Sequence, residues 1–174
     1  MPEHRPGTPS AYATLESFLW WDFAGASDWA QWAAKRGIAR SAKAGRRSFE
    51  GAISLQETLR RLEAANNGAE PAGSDLAALN ALIGQMDVRP ELSPPGQIAL
   101  TSSASGKDAP VASLLIMALN AMAEGIWSRF KLCRDPTCSA SFYDASKSST
   151  KVWCSMAVCG SRDKMRRLRS RQRA

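Results

Sequence analysis

Two short stretches near the C-terminal end decide how this chain folds: CRDPTC at residues 133–138 and CSMAVC at residues 154–159. They hold all four cysteines of the chain, as two pairs with four residues inside each pair and fifteen residues between the pairs. A connection of that length can fold back as a hairpin and bring four thiolates around one tetrahedral metal ion. The spacing predicts one structural zinc ion per chain, bound by Cys133, Cys138, Cys154 and Cys159.

Other uses of four cysteines are two disulfides, four free thiols or an iron–sulfur cluster. A reducing cytosol disfavours disulfides. Free thiols have no reason to gather in the last 42 of 174 residues. Iron–sulfur clusters use cysteine ligands at different spacings. Four thiolate ligands leave no open position for a reactive water, so a zinc ion here is expected to be structural.

Charge divides the chain just before the cysteines. The whole chain has a net charge of +7, but residues 1–127 hold 11 Lys and Arg against 13 Asp and Glu. Residues 128–174 hold 12 Lys and Arg against 3 Asp and Glu, which is a local charge of +9. Basic modules bind polyanions, usually nucleic acid, although a solvated tail can have the same composition. We therefore expect a helical domain at 1–127 and a basic zinc finger at 128–174.

Cationic side chains crowd the residues after the last cysteine, where only Asp163 opposes them. If this segment is a helix, Met165 and Leu168 can pack on the finger and the cationic side chains are solvated. Arginine suits bidentate contacts to phosphate or guanine better than lysine does. The candidate nucleic-acid contacts are Arg162, Lys164, Arg166, Arg167, Arg169, Arg171 and Arg173.

The first 127 residues have the pattern of a small helical bundle with one hairpin. Apolar residues three or four apart predict core-facing helices over 52–62 and 76–86. The Ser-Pro-Pro-Gly turn at 93–96 predicts a hairpin. A helix beginning at Asp108 is apolar on most of its surface, so we expect it in the core or in a dimer interface. The predicted class is mainly α, followed by a small treble-clef-like α+β finger.

Tryptophans and phenylalanines crowd the segment 18–32. Aromatic side chains this large favour a buried core. The alternative is a small-molecule pocket with aromatic walls and one carboxylate as its polar anchor. The residues of that candidate ligand pocket are Trp20, Asp22, Phe23 and Trp29.

Several function classes are disfavoured by composition. No apolar run approaches the roughly 20 residues of a membrane-spanning helix, and residues 1–10 lack the apolar core of a signal peptide. We therefore expect a cytoplasmic protein with no membrane partner. The one histidine, His4, lies in the leader, which argues against histidine-based catalysis. With no catalytic pair in view and a closed metal site that cannot activate water, we do not expect an enzyme.

The segment from Trp127 onward resembles the CGNR-type zinc finger. It shares both cysteine pairs, the Phe-Tyr-Asp run at 142–144, the Trp-Cys-Ser-Met run at 153–156 and the basic end. The tetrapeptide that names this finger, Cys-Gly-Asn-Arg, is Cys-Gly-Ser-Arg at 159–162, with Ser161 in place of asparagine. Proteins with this finger usually carry an N-terminal helical domain called ABATE, and the stretch 19–23 is similar to the start of that domain.

The resemblance implies a stress-induced transcription regulator. DNA would be its partner through the basic helix, and the helical body would sense an unknown small ligand or form a homodimer. The alternative is a zinc-stabilised interaction module that binds RNA or an acidic protein.

Overall fold

The computed structural model describes residues 8–39 and 45–172. His4 and Arg173 lie outside the described residues. Six α-helices and two antiparallel hairpins make up the described part, joined by 3₁₀ turns at Ser10–Tyr12 and Trp127–Arg129. In chain order the elements are α1 (Ala13–Trp20), α2 (Ala26–Lys35), α3 (Arg46–Ala65), α4 (Gly73–Gln85), β1 (Val88–Ser93), β2 (Gln97–Ser102), α5 (Ala109–Ala123), β3 (Phe130–Leu132), β4 (Ser141–Tyr143) and α6 (Ser161–Gln172). The predicted fold class is confirmed.

Helix α3 lies at the centre of the bundle and contacts α1, α2, α4 and α5. The apolar spacing over 52–62 gives it the inward face that the sequence predicts, with Leu55 and Leu59 fully buried. Helix α5 packs against α3 with Leu114 and Leu115 fully buried. Pro110 lies in the first turn of α5, where its missing N–H has no helical acceptor to lose.

Helix α4 is rotated relative to the prediction. Leu76, expected in the core, is 45% exposed, whereas Leu79 and Leu82 are buried. The rotation agrees with an ion pair, because Arg61 Nε of α3 lies 2.6 Å from Asp75 Oδ1 in the first turn of α4. This contact holds α4 at the edge of the bundle.

The first hairpin pairs β1 with β2 from Val88 opposite Ser102 to Ser93 opposite Gln97. Its turn is the Ser-Pro-Pro-Gly segment at 93–96, with Gly96 at a φ of 97° that only glycine adopts easily. The hairpin predicted from this turn is confirmed. Its apolar side chains Leu92 and Ile98 project into solvent.

The aromatic segment forms the densest part of the core. Trp29 stacks on Trp32 with ring centroids 5.6 Å apart, and Phe23 meets both indoles edge-on. The Trp29 Nε1–H donates to Ser48 Oγ at 3.1 Å, so its polar atom is satisfied inside the core. Phe23 and Trp29 are therefore buried core residues rather than walls of a ligand pocket, which corrects that part of the candidate pocket.

The C-terminal hairpin is built into the same core as the helices. Phe130 of β3 is fully buried and packs edge-on to Tyr12 at 6.4 Å. Asn66, just after α3, donates from Nδ2 to the carbonyls of Trp127 and Phe130 at 2.8 Å each. These bonds fix the start of the cysteine segment on the end of α3. Among the helices that the structure describes, none has the length and apolarity that crossing a membrane requires.

Candidate metal centre

The first cysteine pair lies in the turn between β3 and β4. The Cys133 N–H donates to the Ala140 carbonyl at 2.8 Å, and the Cys138 N–H donates to the Asp135 carbonyl at 2.9 Å. The β-hairpin and its tight turn therefore place both sulfur atoms on one side of the loop. The sequence supplies this turn through Asp135, Pro136 and Thr137, which are turn-forming residues.

The second pair lies at the start of the C-terminal helical segment. Ser155 caps a π-helical turn over Met156–Gly160, and its Oγ accepts the Val158 N–H at 3.3 Å. Cys159 lies inside that turn, and α6 follows it without a break. Cys154 lies just before the turn, because the helical turn begins only after the Ser155 cap.

All four sulfur atoms converge. The four Sγ atoms lie within 4.8 Å of one another. Cys154 Sγ lies 3.6 Å from Cys138 Sγ and 3.7 Å from Cys159 Sγ. A tetrahedron with Zn–S bonds of about 2.3 Å has edges of about 3.8 Å. In the described part of the chain, this is the one cluster of three or more His, Cys, Asp or Glu side chains that could hold a metal.

The electrostatics of the cluster also fit a cation. Burial, together with the neighbouring thiols, raises the pKa of Cys154 to about 11 and raises the pKa of Cys159 as well. Burial also raises the pKa of Cys138, but hydrogen bonds to its sulfur from the Ala140 N–H and the neighbouring thiols lower it. The second effect is larger, so the pKa of Cys138 lies below its usual value. Four thiolates this close repel one another, and a divalent cation offsets that repulsion. The donor set therefore fits zinc.

Aromatic side chains cover the cluster. Phe142 of β4 is buried against Cys133 and Cys159, and Trp153 packs on the same group. Both rings therefore shield the cysteines from water. A dry surrounding strengthens the attraction between a cation and its thiolate ligands.

A buried carboxylate ties helix α6 to the first cysteine pair. Asp135 has no exposed side-chain surface, and its Oδ1 accepts Arg166 Nη1 at 2.9 Å while its Oδ2 lies 3.4 Å from Arg162 Nη1. Burial raises the pKa of Asp135, but the Thr137 N–H and the Arg166 guanidinium outweigh it and hold that pKa at about 2. Asp135 is therefore ionised wherever the protein is folded near neutral pH.

These ion pairs correct the expectation that the basic side chains of α6 are all free in solvent. Arg162 and Arg166 are held by Asp135, and Arg167 Nε lies 2.8 Å from Asp163 Oδ2. The physical reason is that the turn after Cys133 brings a buried carboxylate beside the first turns of α6. Three other candidate contacts are exposed and form no ion pair within the residues described: Lys164, Arg169 and Arg171.

The apolar residues of α6 also depart from expectation. Met165 and Leu168 are 47% and 48% exposed, so they do not pack on the finger. Helix α6 contacts mainly the π-helical turn that precedes it. Together with Val158, which is 48% exposed, these side chains recur at helical spacing and form an apolar stripe among the arginines.

A cleft of about 580 Å³ lies between the helical body and the first cysteine pair. Two residues of the candidate ligand pocket, Trp20 and Asp22, line it. Phe23 and Trp29 do not, since they lie in the core. The lining residues are Trp20, Trp21, Asp22, Asp28, Arg60, Cys138, Ser139 and Ala140.

The sequence analysis did not identify three side chains that the structure places beside the cysteines or at the cleft: Asp135, Asp28 and Arg60. Asp135 had a local signal, because Asp followed two residues later by Thr is typical of a side-chain-capped turn. Asp28 and Arg60 had none, since their place at the cleft depends on how α2 and α3 pack against the finger.

Two family models match the chain. The model of the CGNR zinc finger matches residues 129–172. The model of the ABATE domain, described as "Putative stress-induced transcription regulator", matches residues 22–128, more than half of the chain. No curated protein matches the chain. The zinc-finger match agrees with the four-cysteine cluster, and the other match covers the helical bundle; the chain therefore belongs to the ABATE family and ends in a CGNR zinc finger.

Proposed function

We propose that this protein is a zinc-containing, DNA-binding transcription regulator. One structural zinc ion per chain would be held by Cys133, Cys138, Cys154 and Cys159, and it would complete the finger that carries α6. The observation that carries the proposal is the basic helix itself, which continues directly from the turn holding Cys159 and is tied to the first cysteine pair through Asp135. The metal-binding cluster thereby orients a row of cations.

The cations of α6 divide into two roles in this proposal. Arg162 and Arg166 hold the helix against the finger, because both reach the buried Asp135. Lys164, Arg169 and Arg171 are exposed and available to phosphate groups. Contacts of this kind neutralise phosphates and release counterions, so they give affinity that falls as salt rises.

The test is the salt dependence of duplex binding, measured by fluorescence anisotropy of a labelled short DNA duplex. Replacing Lys164, Arg169 and Arg171 with alanine removes three phosphate contacts. Each contact contributes a slope of about −0.9 in log K against log salt. The triple variant is therefore expected to bind more weakly and to show a slope smaller in magnitude by about 3.

The matched control removes the same charge from the helical body. Arg47, Arg89 and Lys107 are exposed and far along the chain from α6, and their alanine triple is expected to keep the parent slope. If the α6 triple binds DNA with the parent affinity and slope, these three side chains make no phosphate contacts and the DNA-binding role proposed for α6 is wrong.

A second candidate function is favoured by the apolar stripe on α6. Val158, Met165 and Leu168 are about half exposed among the arginines. Phosphate contacts make no use of them, whereas an acidic amphipathic protein segment would cover them and pair with the cations. Competition with single-stranded RNA and with an acidic peptide in the same anisotropy assay separates this interaction module from a duplex DNA reader.

The helical body, residues 1–127, is proposed as the sensing part, and residues 128–174 as the finger. The cleft beside Trp20 and Asp22 supports ligand sensing, because it opens between the body and the first cysteine pair. Homodimer formation, the other proposed role of the body, is tested by sedimentation of the zinc-loaded chain.

A further inference from the structure

The cleft between the helical body and the first cysteine pair has the size of a small-molecule site. Its volume of about 580 Å³ falls in the usual range of about 300–1,000 Å³ for such sites. One wall is the end of α1 with Trp20 and Trp21, and the opposite wall is the segment from Cys138 to Ala140. A ligand seated there would touch both the helical body and the finger.

The walls of the cleft are held by hydrogen bonds within the protein. Gln56 Nε2 donates to the Trp21 carbonyl at 2.8 Å, which fixes the chain as it leaves α1. Arg60 Nη2 donates to the Ser139 carbonyl at 2.6 Å and joins the body to the finger. Asp28 Oδ2 accepts the Trp21 Nε1–H at 3.1 Å. When the walls of a site are held in this way, ordering its side chains on binding costs little free energy.

The lining residues that the structure describes carry a net negative charge, although the chain as a whole is strongly positive. Among them, Asp22 and Asp28 are carboxylates and Arg60 is a cation, and part of the Arg60 guanidinium is already committed to the Ser139 carbonyl. Within the part of the chain that the structure describes, Asp22 is exposed and has no hydrogen bond or ion pair. Helix α1 also ends at the cleft, and a helix C-terminus carries partial negative charge.

Aromatic surface lies beside these carboxylates. Trp20 and Trp21 are both half-buried. Two neighbouring tryptophans already contact a cation of the chain. The Arg36 guanidinium lies 5.8 Å from the Trp21 ring centroid and 4.6 Å from the Trp32 ring centroid. Tryptophan is the best aromatic partner for a cation. Trp20 and Asp22 line the same cleft, which therefore combines an aromatic side chain with a carboxylate.

We propose that this cleft binds an organic ammonium cation with an apolar body, the ammonium group paired with Asp22 and the apolar body placed against Trp20. The proposal rests on the ligand-sensing part of the proposed function and names the chemical class of the ligand. An anion would face two carboxylates, and a neutral aromatic compound would remove water from those carboxylates without replacing its hydrogen bonds.

Three compounds of nearly equal shape test the charge: phenethylammonium, 2-phenylethanol and phenylacetate. Each is titrated by calorimetry into the zinc-loaded full chain with no DNA present. The cation is expected to bind at least about tenfold more tightly than the alcohol, since a paired and partly desolvated ammonium gains about 1.4 kcal/mol or more over its neutral counterpart. The anion is expected to bind more weakly than the alcohol.

Two variants test the residues. Asp22→Asn is expected to remove most of the advantage of the cation over the alcohol, while Glu70→Gln, which removes an exposed carboxylate from a loop outside the cleft lining, leaves it unchanged. Trp20→Leu is expected to weaken binding of both the cation and the alcohol. Because Trp20 is half-buried, the comparison of the three compounds on the unaltered chain stands even if this variant folds poorly.

The proposal is overturned if the alcohol or the anion binds as tightly as the cation, if the cation gives no binding heat up to its solubility limit, or if Asp22→Asn leaves the selectivity intact. Because DNA is absent, these outcomes say nothing against DNA binding by α6. Conversely, a chain that takes up the cation but fails to bind duplex DNA leaves this inference standing.

Discussion

Glu63 is a fully buried carboxyl group where the body meets the finger. Ser141 Oγ of β4 lies 2.6 Å from Glu63 Oε2 and 3.1 Å from the Leu19 carbonyl. A hydroxyl has one proton and cannot donate to both acceptors at once. A protonated Glu63 resolves this, because it donates to Ser141 while Ser141 donates to Leu19. The Glu63 proton thereby joins α3 to β4, and the Ser141 hydroxyl proton joins β4 to α1.

Burial raises the pKa of Glu63 to about 8 from an ordinary value of 4.5, and Glu16 of α1 adds to this while Ser141 and Arg60 oppose it. Between these pH values the folded chain holds a proton that the unfolded chain has lost. Stability is therefore expected to fall as pH rises through this window, by about 1.4 kcal/mol per pH unit from this group.

Glu63→Gln is expected to remove the part of the pH dependence of stability that comes from Glu63, because an amide does not titrate. The amide N–H can still donate to Ser141. The measurement is urea unfolding of the zinc-loaded chain at several pH values between 4.5 and 8. Glu70→Gln, at an exposed position, serves as the control and keeps the parent profile. Parallel profiles for the parent and Glu63→Gln would show that Glu63 is ionised in the folded chain.

At the scale of elements, the orientation of α6 depends on a side chain outside the helix. Asp135 holds both Arg162 and Arg166, whereas the remaining ion pairs of α6 are internal, through Asp163. Asp135→Asn keeps the size of the side chain but loses the charge. The start of α6 is expected to lose its hold on the first cysteine pair, while the helix itself remains.

Hydrogen exchange measures this effect: amides of residues 161–166 are expected to exchange faster in Asp135→Asn than in the parent, with bound zinc still present by metal analysis. Asp163→Asn is the control, because it breaks the internal pairs of α6 and leaves the Asp135 contacts. Equal exchange in Asp135→Asn and the parent would show that the π-helical turn alone orients α6.

At the scale of the whole molecule, the strand that begins the finger is packed into the core of the body, while the cysteines form a second cluster with Phe142. Phe130 is buried among body residues, and Asn67 donates from Nδ2 to the Leu132 carbonyl at 2.8 Å. Loss of the metal is therefore expected to disorder the cysteine segment first and then to weaken the end of α3. Because binding and folding are coupled in four-cysteine fingers, the effect should exceed that of a surface substitution.

Cys154→Ser tests this expectation. The variant is expected to lose its zinc, to lose amide protection over residues 133–172, and to show a smaller loss of protection near Asn66 and Asn67. Ser155→Ala, which removes only the cap of the π-helical turn, is expected to keep one zinc per chain. Metal analysis that finds no zinc in the parent chain prepared without chelator would contradict the metal assignment.

Local patterns in the sequence predicted a large part of the fold. The apolar spacing over 52–62 predicted the inward face of α3, and the turn at 93–96 predicted the first hairpin, because both are short-range features. The same reasoning wrongly predicted that Leu76 is buried, since a helix at the edge of a bundle can turn more than one of its faces toward the core. The prediction of the finger as a separate domain from residue 128 stays a prediction.

The sequence by itself determined the four-cysteine cluster, the helical bundle and the concentration of positive charge at the C-terminal end, because spacing, periodicity and composition are properties of the chain before it folds. Only the tertiary structure decided which arginines of α6 are held by Asp135, that Trp29 lies in the core while Trp20 lines a cleft, and that Glu63 is buried beneath Ser141. These facts depend on contacts between segments far apart in the chain. No local pattern encodes such contacts, because each is set by how whole elements pack.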